Sequence, residues 1–168
     1  KEVITQCPHC FHTIANEYPD LGGNYEVFHS SEYIEELAKR EKIDPTIVND
    51  NKTTFHDPCY LSRHNGRYAA PREALRAIPG IQLNDVGQSK NRTFCCGAGG
   101  GSVWKEETEG SRINQTRLDQ LMQAEPETIA VGCPYCMIMM DDAVKSKNLD
   151  DNVEVKDLVE LVSESLDA

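Results

Sequence analysis

Five cysteines stand in three short segments: HDPCY at 56–60, FCCGAGGG at 94–101 and GCPYC at 132–136. Thirty-five residues separate Cys59 from Cys95, and thirty-six separate Cys96 from Cys133, so the segments are evenly spaced. Thiolates are soft ligands that select zinc, Cu(I) or iron–sulfur. A structural zinc takes four ligands, usually in close-spaced pairs. Five thiolates, two of them vicinal, exceed what one tetrahedral ion uses and suit an assembly with several irons. A second Cys-Pro-x-Cys pair, Cys7 and Cys10, has no such partners elsewhere in the sequence.

The neighbouring residues fit that chemistry. Gly97, Gly99 and Gly100 allow close backbone approach and left-handed conformations, so their N–H groups can face sulfur as a backbone nest does. The glycine run lacks both the Lys-Ser/Thr of a phosphate loop and the spacing of a dinucleotide site. Cys133 and Cys136 follow an apolar strand and open a helix, where the helix N-terminus favours thiolate. Taken alone, this pair could equally be a thioredoxin-like dithiol.

His56, Asp57 and His64 flank the first cysteine, as hydrogen-bond donors behind the ligands, a proton carrier or loop-holding groups. Asn65, Arg67 and Arg72 are either at the mouth of the site or simple surface groups. Trp104, the only tryptophan, is expected to pack beside the glycine loop. Met137, Met139 and Met140 are expected in the core of a helix.

The elements that position these residues alternate. Strands are expected at Val3–Thr5, Tyr25–His29, Thr53–His56, Ile81–Val86, Thr128–Val131 and Val153–Val155. Helices are expected over about 8–17, 31–41, 71–78, 110–123, 134–146 and 157–166, with Ser31 and Asp157 as N-caps and Pro71 and Pro134 in first helical positions. This order predicts an α/β fold with a mainly parallel sheet and flanking helices. Residues 4–40 also resemble residues 129–166, and Cys7 and Cys133 lie 126 positions apart, as do Val27 and Val153, His29 and Val155, and Ser31 and Asp157. The spacing predicts a duplicated unit: 1–42 as the C-terminal half of a preceding copy, 43–52 as a linker and 53–168 as a complete copy. One cysteine site should then be complete and the Cys7/Cys10 half-site orphaned, at a distance from the first.

A formal net charge of −11 argues against nucleic-acid binding, which needs clustered Lys and Arg. It suits a solvated acidic surface or steering of a redox partner. No apolar run approaches the roughly 18 residues of a membrane span. The opening KEVITQCPHC has no basic-then-apolar signal pattern. It begins inside an expected strand without an initiator Met, so the sequence is expected to be part of a longer protein. Seven cysteines, an odd number with two CxxC pairs, point to ligands in a reducing, cytoplasmic compartment rather than to a disulfide framework.

These residues resemble the CCG, or cysteine-rich, domain family typified by heterodisulfide reductase. That family's pattern of one Cys, then CCG, then CxxC is matched by Cys59, Cys95-Cys96-Gly97 and Cys133-Pro134-Tyr135-Cys136. The resemblance implies that the five cysteines bind a noncubane [4Fe-4S] cluster and that paired units sit face to face. Some relatives carry zinc, or no cluster, in one unit. The stretches CPHCFHTIANEYPDLGG, HDPCYLSRHNGRYAAPREALRAIPG and FCCGAGGGSVWKEE resemble the C-terminal part of long iron–sulfur oxidoreductases. Those proteins join a membrane segment, a ferredoxin-like pair and two CCG units. The resemblance implies electron transfer between electron-transferring flavoprotein, or a dehydrogenase subunit, and the quinone pool, on the cytoplasmic face of a membrane. The related proteins of glycolate, lactate and glycerol-3-phosphate oxidation are the next candidates. Two other functions stay open: disulfide reduction at the cluster, and a zinc-stabilised docking domain.

Overall fold

The computed structural model describes residues 1–105 and 109–167. Glu106 and Glu107, which end the quoted FCCGAGGGSVWKEE stretch, lie outside them. A four-stranded parallel sheet forms the centre, with β3 (Lys52–His56) and β5 (Thr128–Val131) as its inner strands. β4 (Gln82–Leu83) flanks β3 and β6 (Glu154–Asp157) flanks β5. All four residues of β5 are buried, as expected for a parallel strand covered on both faces. Side chains alternate across it. Ala130 joins Phe55, Leu75, Ile78, Leu158 and Leu161 on one face, whereas Ile129 and Val131 join Leu118, Leu121, Met140 and Val144 on the other. The first face is covered by α3 (Ala70–Arg76) and α6 (Leu158–Glu164), with Ile34 of α2 (Ser30–Lys39) packed alongside; the second is covered by α4 (Ile113–Leu121) and α5 (Pro134–Ser146). The fold is α/β, as the alternation predicts. Met139 and Met140 are buried and Met137 packs against the same core.

A separate pair of parallel strands, β1 (Glu2–Thr5) and β2 (Glu26–His29), carries α1 (Pro8–His12) and α2. The order β1-α1-β2-α2 repeats that of β5-α5-β6-α6, but the register differs from the ungapped match. Thr5 pairs with His29 and Val131 with Asp157, so the counterpart of Asp157 is His29 and not Ser31. Both close a capping box: the His29 side chain accepts from Ser31 N–H while Glu32 reaches back, and Asp157 does the same with Val159 and Glu160. Ser31 is instead a buried first-turn residue whose hydroxyl donates to His29 Nδ1 at 2.8 Å.

Other boundaries move for local reasons. The first helix changes at Thr13–Glu17 to a π-helical turn and at Tyr18–Leu21 to a 3₁₀ turn, which Gly22 ends with φ 84°. β4 is two residues long because Asp85 turns away from the ladder to Arg72. The 43–52 stretch is pinned and not free: Thr46 and Ile47 N–H both donate to Ser165 O. Among the described residues no helix is long and apolar enough to cross a membrane.

Candidate metal centre

Ligands of parallel sheets gather beyond the carboxyl ends of the strands, and the cysteines follow that rule. β3 ends at His56 and leads to Cys59; its neighbour β5 ends at Val131 and leads to Cys133. Cys133 is the N-cap of α5, Pro134 opens the helix, and Cys136 falls one turn on. Cys95 and Cys96 arrive on the loop after β4. Gly97 N–H donates to Cys95 Sγ at 3.3 Å, and Gly97 holds φ 94°, a left-handed backbone suited to glycine.

All five cysteines line one cavity of about 250 Å³, together with Gly99, Gly100 and Gly101. Cys96, Cys133 and Cys136 are buried; Cys59 and Cys95 are half-buried. Hydrogen bonds from the Cys59 and Cys96 thiols hold Cys95 far below the ordinary cysteine range. The same Cys95 contact, then burial, pushes Cys59 well up. Cys136 is raised by its hydrogen bonds to Cys133 and Cys96, and Cys133 is lowered in return. Five thiols at this spacing share protons because they cannot all ionise beside one another.

Polar side chains lock the loops that carry them. Arg72 is neither at the mouth nor on the surface: it is buried, with Nη1 and Nη2 donating to both Asp57 oxygens at 2.7 and 2.8 Å, and it also pairs with Asp85. Asp57 in turn accepts from Lys90 N–H at 2.7 Å, and its carbonyl accepts from the Thr93 hydroxyl at 3.0 Å. Arg63 donates to Thr93 O. The Cys59 loop and the Cys95–Cys96 loop are thus tied together two residues before each cysteine. His56 is buried, with Nδ1 bonded to Arg117 Nε at 3.0 Å. Burial and the Arg117 charge push its imidazole down to about 3. Sequence reasoning missed Arg117. The signal was its place in the buried i, i+3, i+4, i+7 stripe Asn114, Arg117, Leu118, Leu121, where an arginine on the apolar face requires a partner.

Cys7 and Cys10 do not line the cavity, but His9 between them does. Its ring lies 4.2 Å from that of Tyr60 and 5.9 Å from that of Tyr135. His9 thus brings the Cys7/Cys10 segment to the wall of the five-cysteine cavity, while the two thiols themselves stay off it. His64 stacks on Tyr60 at 4.7 Å. Asn65 bonds to His12 and Asn16, and Arg67 pairs with Glu32, so both join the first segment to the second. Trp104 does not pack: it is 83% exposed on the rim of the cavity, where the kinked Gly99–Trp104 turns carry it outward.

The sequence is 45% identical over 166 residues to the probable iron-sulfur-binding oxidoreductase FadF of Bacillus subtilis, and 40% identical over 174 residues to the EtfAB:quinone oxidoreductase of Syntrophomonas wolfei. It is 31% identical over 169 residues to one subunit of the dihydromethanophenazine:CoB–CoM heterodisulfide reductase of Methanosarcina barkeri. Each match covers 99% of this chain, which spans 24% of the first two relatives and 41% of the third. The family model described as the cysteine-rich domain, CCG, matches residues 53–141. With more than half of its length matched, the chain belongs to the CCG cysteine-rich domain family.

Proposed function

We propose that this chain is an iron–sulfur electron-transfer domain of a larger oxidoreductase, with Cys59, Cys95, Cys96, Cys133 and Cys136 as ligands of a [4Fe-4S] cluster of the noncubane type. The carrying observation is the convergence of five thiols from three distant segments on one cavity. The donor set fits: it is all sulfur, one thiol more than a tetrahedral zinc uses. Buried polar nitrogens left without partners in His56 and Arg117 suit an anionic occupant. When bound, such a cluster supplies one-electron transfer. The chain's own part is to hold five thiolates, to direct the Gly97 N–H at Cys95 sulfur, and to keep Gly99 and Gly100 close against the site.

Residues 1–42 are the C-terminal half of a preceding CCG unit, 43–52 the connection and 53–168 the complete unit. Cys7 and Cys10 belong to a site completed by the rest of the parent protein. Likeness to the EtfAB:quinone oxidoreductase supports an electron-transferring flavoprotein, or a dehydrogenase subunit, as donor and the quinone pool as acceptor. Quinones reside in the bilayer, so the parent would lie at the cytoplasmic face of a membrane. A second use of the site, reduction of a disulfide, rests on likeness to the heterodisulfide reductase subunit and on the open side of the cavity, where Tyr60, Tyr135 and Val103 stand beside the thiols.

Iron and sulfide content of the anaerobically purified parent protein, with electron paramagnetic resonance, tests the assignment. Cys95→Ser and Cys96→Ser should each lose most of this unit's iron with an unchanged circular dichroism spectrum, and Cys10→Ser should leave this unit's cluster in place. Full iron occupancy in both of the first two variants would refute the cluster. Turnover of model disulfides separates the two uses, and zinc in place of iron would mark a docking domain.

A further inference from the structure

Among the described residues, two buried side-chain nitrogens lack a hydrogen-bond partner, His56 Nε2 and Arg117 Nη2, and they belong to one bonded pair. A guanidinium only donates and keeps its charge. Because Arg117 Nε donates to His56 Nδ1, that nitrogen must be the bare one, and the single proton of the neutral ring sits on Nε2. The adjacent cation opposes a second proton. A ring nitrogen of His56 and the sulfurs of Cys96 and Cys136 lie within 4.8 Å of one another. Nδ1 is already taken, so Nε2–H is the group free to face those sulfurs.

Arg117 is unusual in its own right. It is fully buried, and its remaining bonds go to Gln88 O at 2.9 Å and Gln120 Oε1 at 3.0 Å, both neutral. No carboxylate contacts it among the described residues. A buried cation without a counter-charge is costly. Asp57 is the charge that acts on it most, and Cys136 and Cys96 come next, as counter-charges only once a bound metal makes them thiolates.

We propose that His56 is a hydrogen-bond donor, through Nε2–H, to sulfur at the Cys96–Cys136 side of the site, and that Arg117 is the positioning residue that fixes its tautomer and supplies a buried positive charge. This rests on the cluster proposed above. The geometry makes His56 a donor and not a metal ligand, because ligation needs the Nε2 lone pair that the proton occupies. A donor and a cation favour the more negative, reduced state, so together they raise the reduction potential.

The test uses the cluster-loaded parent protein with ¹⁵N-labelled histidine. Pulsed electron paramagnetic resonance should show one weak nitrogen coupling that disappears in His56→Leu. A strong coupling, as for a directly ligated nitrogen, or no coupling at all, would overturn the assignment. Arg117→Met should retain wild-type iron and lower the midpoint potential, and Arg117→Lys, which keeps charge and a donor, should recover part of the shift. Wild-type potential in Arg117→Met at full iron content would overturn the role of Arg117. Should Arg117→Met fail to fold, the coupling experiment on the wild type and the Lys variant still decide. A wild-type parent without iron would instead refute the cluster itself.

Discussion

Replacing Arg72 by Met tests whether a buried charge network sets the frame for the cysteines. The Asp57 and Arg72 side chains are 1% and 3% exposed, and the guanidinium meets both Asp57 oxygens while also bonding Asp85 and Tyr68 O. Its charge lies 5.5 Å from the Phe55 ring centre. Arg72→Met leaves the Asp57 carboxyl group buried without its cation, with Lys90 N–H as its remaining donor at 2.7 Å. Breaking one side of a buried pair costs about 3–5 kcal/mol. Asp85 is 29% exposed and can turn to water, so it adds little. For a chain of this size the loss corresponds to a fall in Tm of about 6–20 °C. Guanidinium unfolding followed by circular dichroism measures it, with Arg76→Met as control. The Arg76–Glu73 pair is half-exposed on both sides and should be worth less than about 1 kcal/mol. Adding Asp57→Asn to Arg72→Met should recover part of the loss, because no carboxyl group without its cation then remains buried. An Arg72→Met variant as stable as Arg76→Met would refute the reasoning.

Two further expectations concern glycine strain and acid. Gly97→Ala forces a side chain into φ 94° and brings Cβ to 3.1 Å from Ile113 Cβ, so it should cost about 1–3 kcal/mol; Gly99→Ala, with nothing within 4 Å, should stay within about 0.5 kcal/mol, and equal costs in denaturation would contradict this. Burial holds His29 at about 4, against its ordinary 6.5. The unfolded chain therefore binds a proton between those values that the folded chain does not, and stability falls as pH drops through that window. The stability of wild type relative to His29→Gln should decline by about 3 kcal/mol from pH 7 to pH 4, and a flat difference across that range would rule out a neutral buried His29.

The cysteine pattern was legible because ligand spacing and strand ends are both local signals. Cys133 follows the apolar run TIAV and Cys59 follows the β-branched and aromatic stretch TTF, both strand signals, and the two strands pair at the centre of the parallel sheet. What stayed hidden depends on contacts far apart in sequence. Arg72 reads as a group of the mouth or surface, and the stripe that holds Arg117 shows only that it needs a partner, since nothing near either one reveals that Asp57 and His56 come to meet them. The duplicated register misled for a simpler reason. The connection from β1 to β2 is two residues shorter than that from β5 to β6, and the valines at 27 and 153 suit a strand equally well in either alignment. The two Glu residues that complete the capping boxes, Glu32 and Glu160, would have fixed the offset, because each must stand three positions after its cap.

The frame of the site is held by residues other than the cysteines. Asp57 and Arg63 tie the Cys59 loop to the Cys95–Cys96 loop. Arg117 joins the end of β3 to α4, and Asn114 joins α4 to α5 by bonds to Met139 O and Asp142. His29 Nε2–H donates to Gly132 O and Gln6 O, both at 3.1 Å, the carbonyls that precede Cys133 and Cys7. One imidazole thus fixes the start of both CxxC segments at once. A network of this kind orders the backbone before any ligand arrives, so binding need not bear the entropy of gathering three loops. It also explains why the first segment, whose own cysteines stay outside the cavity, packs so closely on the second. His29 on one side, and Asn65 with Arg67 on the other, bring His9 to the cavity wall.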